Sequence, residues 1–252
     1  MTNTAQVPFL HSYLKGEAIY GFGGIVTKGL SALNTLLLVT QLDVYRYGVY
    51  ILILAFYYLV VGFLFRPLSD VIFNDIARFD AEGNVAQAKK LFLETLSIRM
   101  GIAFITFLAV FFGANIVASF YGEDIAGLFR LLSIVFVIDA LYSTLRILFE
   151  IRLRFGLTML RQIVYLGIKF FVLLSFFLFF DLGIREAIIT SVLAVFFATA
   201  LFIPPFLKLY APWRAVAASS QSILLQVVKT HGKWALSGTI VANATSNIRP
   251  WL

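Results

Sequence analysis

An all-α, polytopic transmembrane helix bundle, with six spans and the start of a seventh, follows from three features of this 252-residue chain. Hydrophobic side chains make up 61% of it and charged ones 13%, whereas soluble domains run near 45–50% apolar and about 25% charged. The mean hydropathy is +0.93. The apolar residues fall in runs long enough to cross a hydrocarbon core of about 30 Å at roughly 1.5 Å per helical residue, and none alternates like a barrel strand. A soluble enzyme and a disordered chain are excluded. The absence of cysteine excludes a disulfide scaffold.

The spans are expected at Ile19–Gln41, Tyr47–Phe65, Met100–Phe120, Ile125–Leu145, Leu157–Phe180 and Ala187–Leu207, with a seventh opening near Trp234. No basic n-region or cleavage site precedes the first span, so it is expected to stay as a signal anchor. Its Gly21, Gly23, Gly24, Gly29, Thr27, Ser31 and Asn34 read as the small face of a close helix–helix contact. Gly21-Phe22-Gly23-Gly24 follows no strand, so a nucleotide loop is not the reading. Asp43, Glu123 with Asp124, and Asp181 with Glu186 mark solvated outer turns. Between the second and third spans, Asp70–Lys90 reads as interfacial helix ends joined by a polar turn at Glu82-Gly83-Asn84. Arg99, at the start of the third span, is expected to snorkel to the surface. The Phe-rich runs 176–180 and 196–197 are expected to face lipid.

Residues 210–233 form an expected amphipathic cytoplasmic linker, with Trp213 and Trp234 at interfacial depth. The domain reading is a six-helix bundle over 1–209, that linker, and the incomplete start of a second bundle over 234–252. A weak repeat pairs Lys15 with Lys229, Tyr20 with Trp234 and Gly24 with Gly238, as expected of one half of a duplicated transporter.

Basic residues orient the bundle. One set of connections holds Lys15, Arg66, Arg78, Lys89, Lys90, Arg146, Arg152, Arg154, Arg161, Lys208, Arg214, Lys229 and Lys233; the other holds Arg46, Arg130 and Arg185. The positive-inside rule then puts the N-terminus and the larger set in the cytoplasm. The chain is expected in a cell inner membrane.

A short outer turn, Leu42-Asp43-Val44-Tyr45-Arg46, runs straight into Tyr47-Gly48-Val49-Tyr50. The second span closes on Arg66-Pro67, followed by Asn74-Asp75-Ile76-Ala77-Arg78 and the Glu-Gly-Asn turn. This pattern resembles the N-terminal half of the polysaccharide biosynthesis and O-antigen flippases. Their superfamily also holds multidrug-and-toxin extrusion transporters and the lipid II flippase. Members often carry an Arg near the end of the first span, where this chain has Thr40 and Gln41. The resemblance implies two bundles about a pseudo-two-fold axis, rocking between inward- and outward-open states. It implies a polyprenyl-diphosphate-linked glycan as cargo, membrane lipids and polysaccharide polymerase or assembly proteins as partners, and no nucleic acid.

Charges inside spans cost roughly 2.5–3.5 kcal/mol each on insertion scales and need a reason. Lys28, Lys169 and Arg249 are candidates for a cationic cavity that holds a diphosphate. Asp139 is a candidate for a structural ion pair with Lys169 or Lys28, or for a coupling-ion site. His11 and His231 lack ligand spacing, so no metal, cofactor or catalytic residue is expected. A cation-coupled drug exporter is the alternative, but it needs an acidic cavity. A membrane-embedded glycosyltransferase or acyltransferase needs paired carboxylates or a His–Asp pair at the membrane face. The orientation is checked by reporter fusions: one after Asn84 should read as cytoplasmic and one after Glu123 as external, and the reverse pattern overturns the assignment.

Overall fold

The computed structural model describes residues 6–64, 69–121 and 125–232. The described residues are helical with no strand, and six helices are long and apolar enough to cross a membrane. In order they are α1 (Gln6–Gln41), α2 (Val44–Leu64), α3 (Ser69–Ala81), α4 (Val85–Tyr121), α5 (Ala126–Ile151), α6 (Phe155–Phe179), α7 (Ile184–Ala200), α8 (Ile203–Arg214) and the single turn α9 (Leu224–Val227), which runs on as a π turn over Val228–Gly232. The spanning stretches are Ala18–Gln41, Val44–Gly62, Val85–Phe120, Ala126–Ile151, Phe155–Phe179 and Ile184–Arg214. Their contacts group into two compact units, Met1–Ile51 with Leu145–Leu209, and Leu52–Thr144 with Tyr210–Leu252.

The corners follow from local chemistry. Asp43 does more than solvate an outer turn. Its Oδ1 accepts the Arg46 backbone N–H at 2.7 Å and caps α2, which therefore starts at Val44 rather than Tyr47. At the Glu82-Gly83-Asn84 turn, the Gly83 N–H bonds to the Asp80 carbonyl at 3.2 Å and the Asn84 N–H to the Phe79 carbonyl at 2.8 Å. This is a Schellman closure with Gly83 at φ 75°. The same closure ends α5, where the Leu153 and Arg154 N–H groups reach the Glu150 and Phe149 carbonyls at 3.0 and 2.7 Å. There the left-handed residue is Leu153, at φ 53°, which costs roughly 1–2 kcal/mol relative to glycine.

Two expectations need correction. Arg99 does not snorkel: only 7% of it is exposed. The buried stripe of α4 runs through Ala88, Leu91, Thr95, Arg99, Ala103 and Thr106, and Arg99 takes its place at helical spacing on that face. Trp213, expected at interfacial depth, is fully buried within the protein. Its ring packs on Phe92 and Tyr210 at 5.9 and 6.2 Å, and its indole N–H donates to Asp80 Oδ1 at 3.1 Å. Trp234 lies outside the described residues. The span expected over 187–207 is two helices, because Pro204 and Pro205 fit only the first turn of a new one. The Phe-rich runs are exposed as expected, with Phe179 at 76% and Phe196 at 51%.

In the first unit α1 packs along α6 and α6 along α7. Tyr20 packs against Phe155 with tilted rings, centroids 5.7 Å apart. A Cβ on Gly16 would lie 2.8 Å from that Phe155 ring, and one on Gly23 would overlap Met159. Further up, Asn34 meets Leu166. Both chains ascend together through these contacts, so the two helices are parallel, as alternate crossings require of the first and fifth spans. Gly21, Gly24 and Gly29, expected in the contact face, meet nothing within 4 Å. Only Gly23 of those four is in the seam, with Gly16 below it. Gly23→Val should therefore lower thermal stability in detergent by about 1–3 kcal/mol through overpacking. Gly24→Ala should be neutral or slightly stabilising, and equal losses for the two would refute the seam.

Candidate functional site

Two groups of polar side chains in the first unit bear on the candidate lysines. The first is inside the seam. Asn34 is 3% exposed, and its Nδ2 donates to the Leu166 carbonyl at 3.1 Å. Its Oδ1 has no hydrogen-bond partner among the described residues. One turn further along α6 comes Lys169, 7% exposed, whose Nζ donates to the Tyr50 hydroxyl oxygen at 2.8 Å. Tyr50 is itself 2% exposed. Nζ lies 5.5 Å from the Tyr50 ring centroid. That distance nearly equals the ring-to-oxygen distance plus the hydrogen bond, so the ammonium lies in line with the hydroxyl, off the ring edge. The contact is a hydrogen bond and not a cation stacked on a π face.

The second is on the opposite, exposed face of α1. Lys28, Ser31, Ala32, Thr35, Leu36, Val39 and Thr40 line a shallow recess of about 530 Å³. These positions recur every three or four residues and so form one stripe of the helix. Thr35 donates to the Ser31 carbonyl at 3.0 Å and Thr40 to the Leu36 carbonyl at 2.9 Å, so both hydroxyl protons are spent on the helix itself. Lys28 brings three N–H donors and a full charge to this recess. Lys169 is not among its lining residues. Measured from the Asn34–Leu166 contact, the two lysines are separated by about nine residues of helix, roughly 13 Å of rise.

Asp139 lies mid-way along α5 and is half-buried. It belongs to the second unit, whereas Lys28 and Lys169 belong to the first. Arg249 lies outside the described residues. Arg161, counted from its position as part of a cytoplasmic connection, is a buried member of α6. It shares the buried stripe Arg161, Leu166, Lys169, Leu173, with its guanidinium 5.7 Å from the Tyr165 ring centroid.

Three contributors escaped the sequence reading: Tyr50, Arg161 and the acceptor of Asn34. A mid-span lysine signals that a partner is needed, but it does not name a tyrosine 119 positions away. The chain matches no family model, no curated protein and no solved structure.

Removing the Tyr50 hydroxyl should leave a buried ammonium short of one acceptor. Tyr50→Phe is expected to destabilise the protein by about 1–3 kcal/mol in detergent unfolding. Tyr50→Phe with Lys169→Met should recover most of that loss. A double variant as unstable as the single one contradicts the coupling.

Proposed function

We propose that this chain is a membrane transporter, or one half of one, which carries a polyprenyl-diphosphate-linked oligosaccharide across the cytoplasmic membrane. The cargo would be an O-antigen or exopolysaccharide repeat unit. The N-terminus would lie in the cytoplasm, where the glycan-lipid is loaded.

The observation that carries this reading is Lys28. It is an exposed lysine on a helix apolar enough to span the membrane, and it lines a recess with Ser31, Thr35 and Thr40. Lipid gives an ammonium group at that depth no compensation, whereas water or an anion does. A diphosphate supplies the anion, and the apolar stripe members Leu36 and Val39 suit the first isoprene units behind it. On this reading Lys169 and Arg249 add positive charge along the path, with Lys169 held in place by Tyr50 until needed. An exporter of organic cations would meet the wrong sign of charge at Lys28.

The test is binding of a fluorescent polyprenyl diphosphate to the purified chain, with the polyprenol of equal length and an organic cation as comparisons. The diphosphate should bind most tightly. Lys28→Ala should weaken it at least tenfold, about 1.4 kcal/mol, while Lys28→Arg keeps most of it. Equal affinity for polyprenol and polyprenyl diphosphate, or tighter binding of the organic cation, would overturn the proposal.

A further inference from the structure

A polar cavity of about 370 Å³ lies within the second unit, inside the roughly 300–1,000 Å³ range of small-molecule sites. Its walls come from α3, the first turn of α4 and the segment after α8. Asp75, Arg78 and Phe79 line it from α3, Gln87 from α4, and Gln221 and Gln226 from the returning segment. We infer that this cavity is a subsite for an uncharged sugar. The choice of a sugar rests on the proposed cargo, whose glycan it would receive.

Charge decides against a phosphate here. Arg78 Nη2 meets Asp75 Oδ1 at 2.8 Å, so the cavity's cation is already neutralised and a dianion gains little from it. What remains is amide chemistry. No hydrogen bond among the described residues engages the side-chain carboxamides of Gln87, Gln221 and Gln226. Each offers two donors and a carbonyl acceptor, which suits hydroxyl groups that both donate and accept. Phe79, Ile223 and Val227 add apolar patches for the C–H faces of a pyranose ring.

The wall is built in advance. Glu94 Oε2 accepts the Ile223 and Leu224 backbone N–H groups at 3.1 and 2.8 Å. Lys89 Nζ donates to the Val216 carbonyl at 2.6 Å, and the Ser219 N–H to the Ala86 carbonyl at 3.3 Å. The strand of chain that presents Gln221 and Gln226 is therefore pinned at several points, which lowers the ordering cost of binding.

Because the chain has no cysteine, Thr230→Cys provides a single thiol in the cavity wall and leaves the three amides in place. The experiment measures its maleimide labelling rate in the full chain in detergent, with N-acetylglucosamine, galactose or inorganic pyrophosphate present. Ala217→Cys, exposed and not among the lining residues, is the reference. A neutral sugar at twice its dissociation constant should slow labelling of Thr230→Cys about threefold, the factor 1 + [L]/Kd. The reference should be unaffected, and adding Gln87→Ala should remove the protection. No slowing by either sugar, slowing by pyrophosphate, or protection that survives Gln87→Ala would each overturn the subsite. The assay reads occupancy without lipid or transport. A chain that binds sugar but not polyprenyl diphosphate would keep the subsite and lose the transporter reading.

Discussion

The close parallel approach of α1 and α6 is the contact on which the first unit depends. Two transmembrane helices gain no hydrophobic driving force from each other in lipid, so they must gain from short-range packing and hydrogen bonding. Gly16 and Gly23 let Phe155 and Met159 enter the space a Cβ would fill. With the backbones that near, Asn34 reaches a carbonyl on the other helix. The Lys169–Tyr50 bond is then formed a turn further on, where both partners are shielded from solvent. A wider seam would leave Asn34 short of its acceptor. The glycines thus decide polar chemistry several turns away from themselves.

The second unit is held by a different means. There α4 is 37 residues long, more than a bilayer crossing needs, and its early turns serve as a platform for α3 and for the chain after α8. Trp213 supplies buried apolar area on Phe92 while its N–H is satisfied by Asp80. Glu94 gives its carboxylate to two backbone N–H groups that begin α9. An aromatic anchor and a carboxylate cap fix a segment that has almost no regular structure of its own. Such a segment keeps its shape through side chains of other elements, so its geometry is tertiary in origin.

That difference explains what could be read from the chain beforehand. Span positions were legible because twenty-residue apolar runs have one use, and the Glu82-Gly83-Asn84 corner was legible because glycine in that setting signals a left-handed turn. The matching corner at Leu153 was not, since leucine signals nothing of the kind. Arg99, Arg161 and Trp213 are buried for a shared reason that the chain alone does not show. Burial depends on which face of the helix meets a neighbour, and packing sets that face. Lys169 was recognised as needing compensation, while Tyr50 could be identified only by a contact between distant parts of the chain. The cavity around Gln87, Gln221 and Gln226 was invisible for the same cause, because it joins two connections through packing alone.

The proline pair at the start of α8 has a consequence for the shape of the last described span. Pro204 and Pro205 carry no N–H, so no helical bond runs from them to the Ala200 and Leu201 carbonyls four residues earlier. The apolar stretch Ile184–Arg214 nonetheless continues through this break, and Leu201, Ile203 and Leu207 are exposed along it. The backbone ladder is thus interrupted while the apolar surface is not. Such a stretch bends more readily at the break than within either helix, because fewer backbone hydrogen bonds cross it.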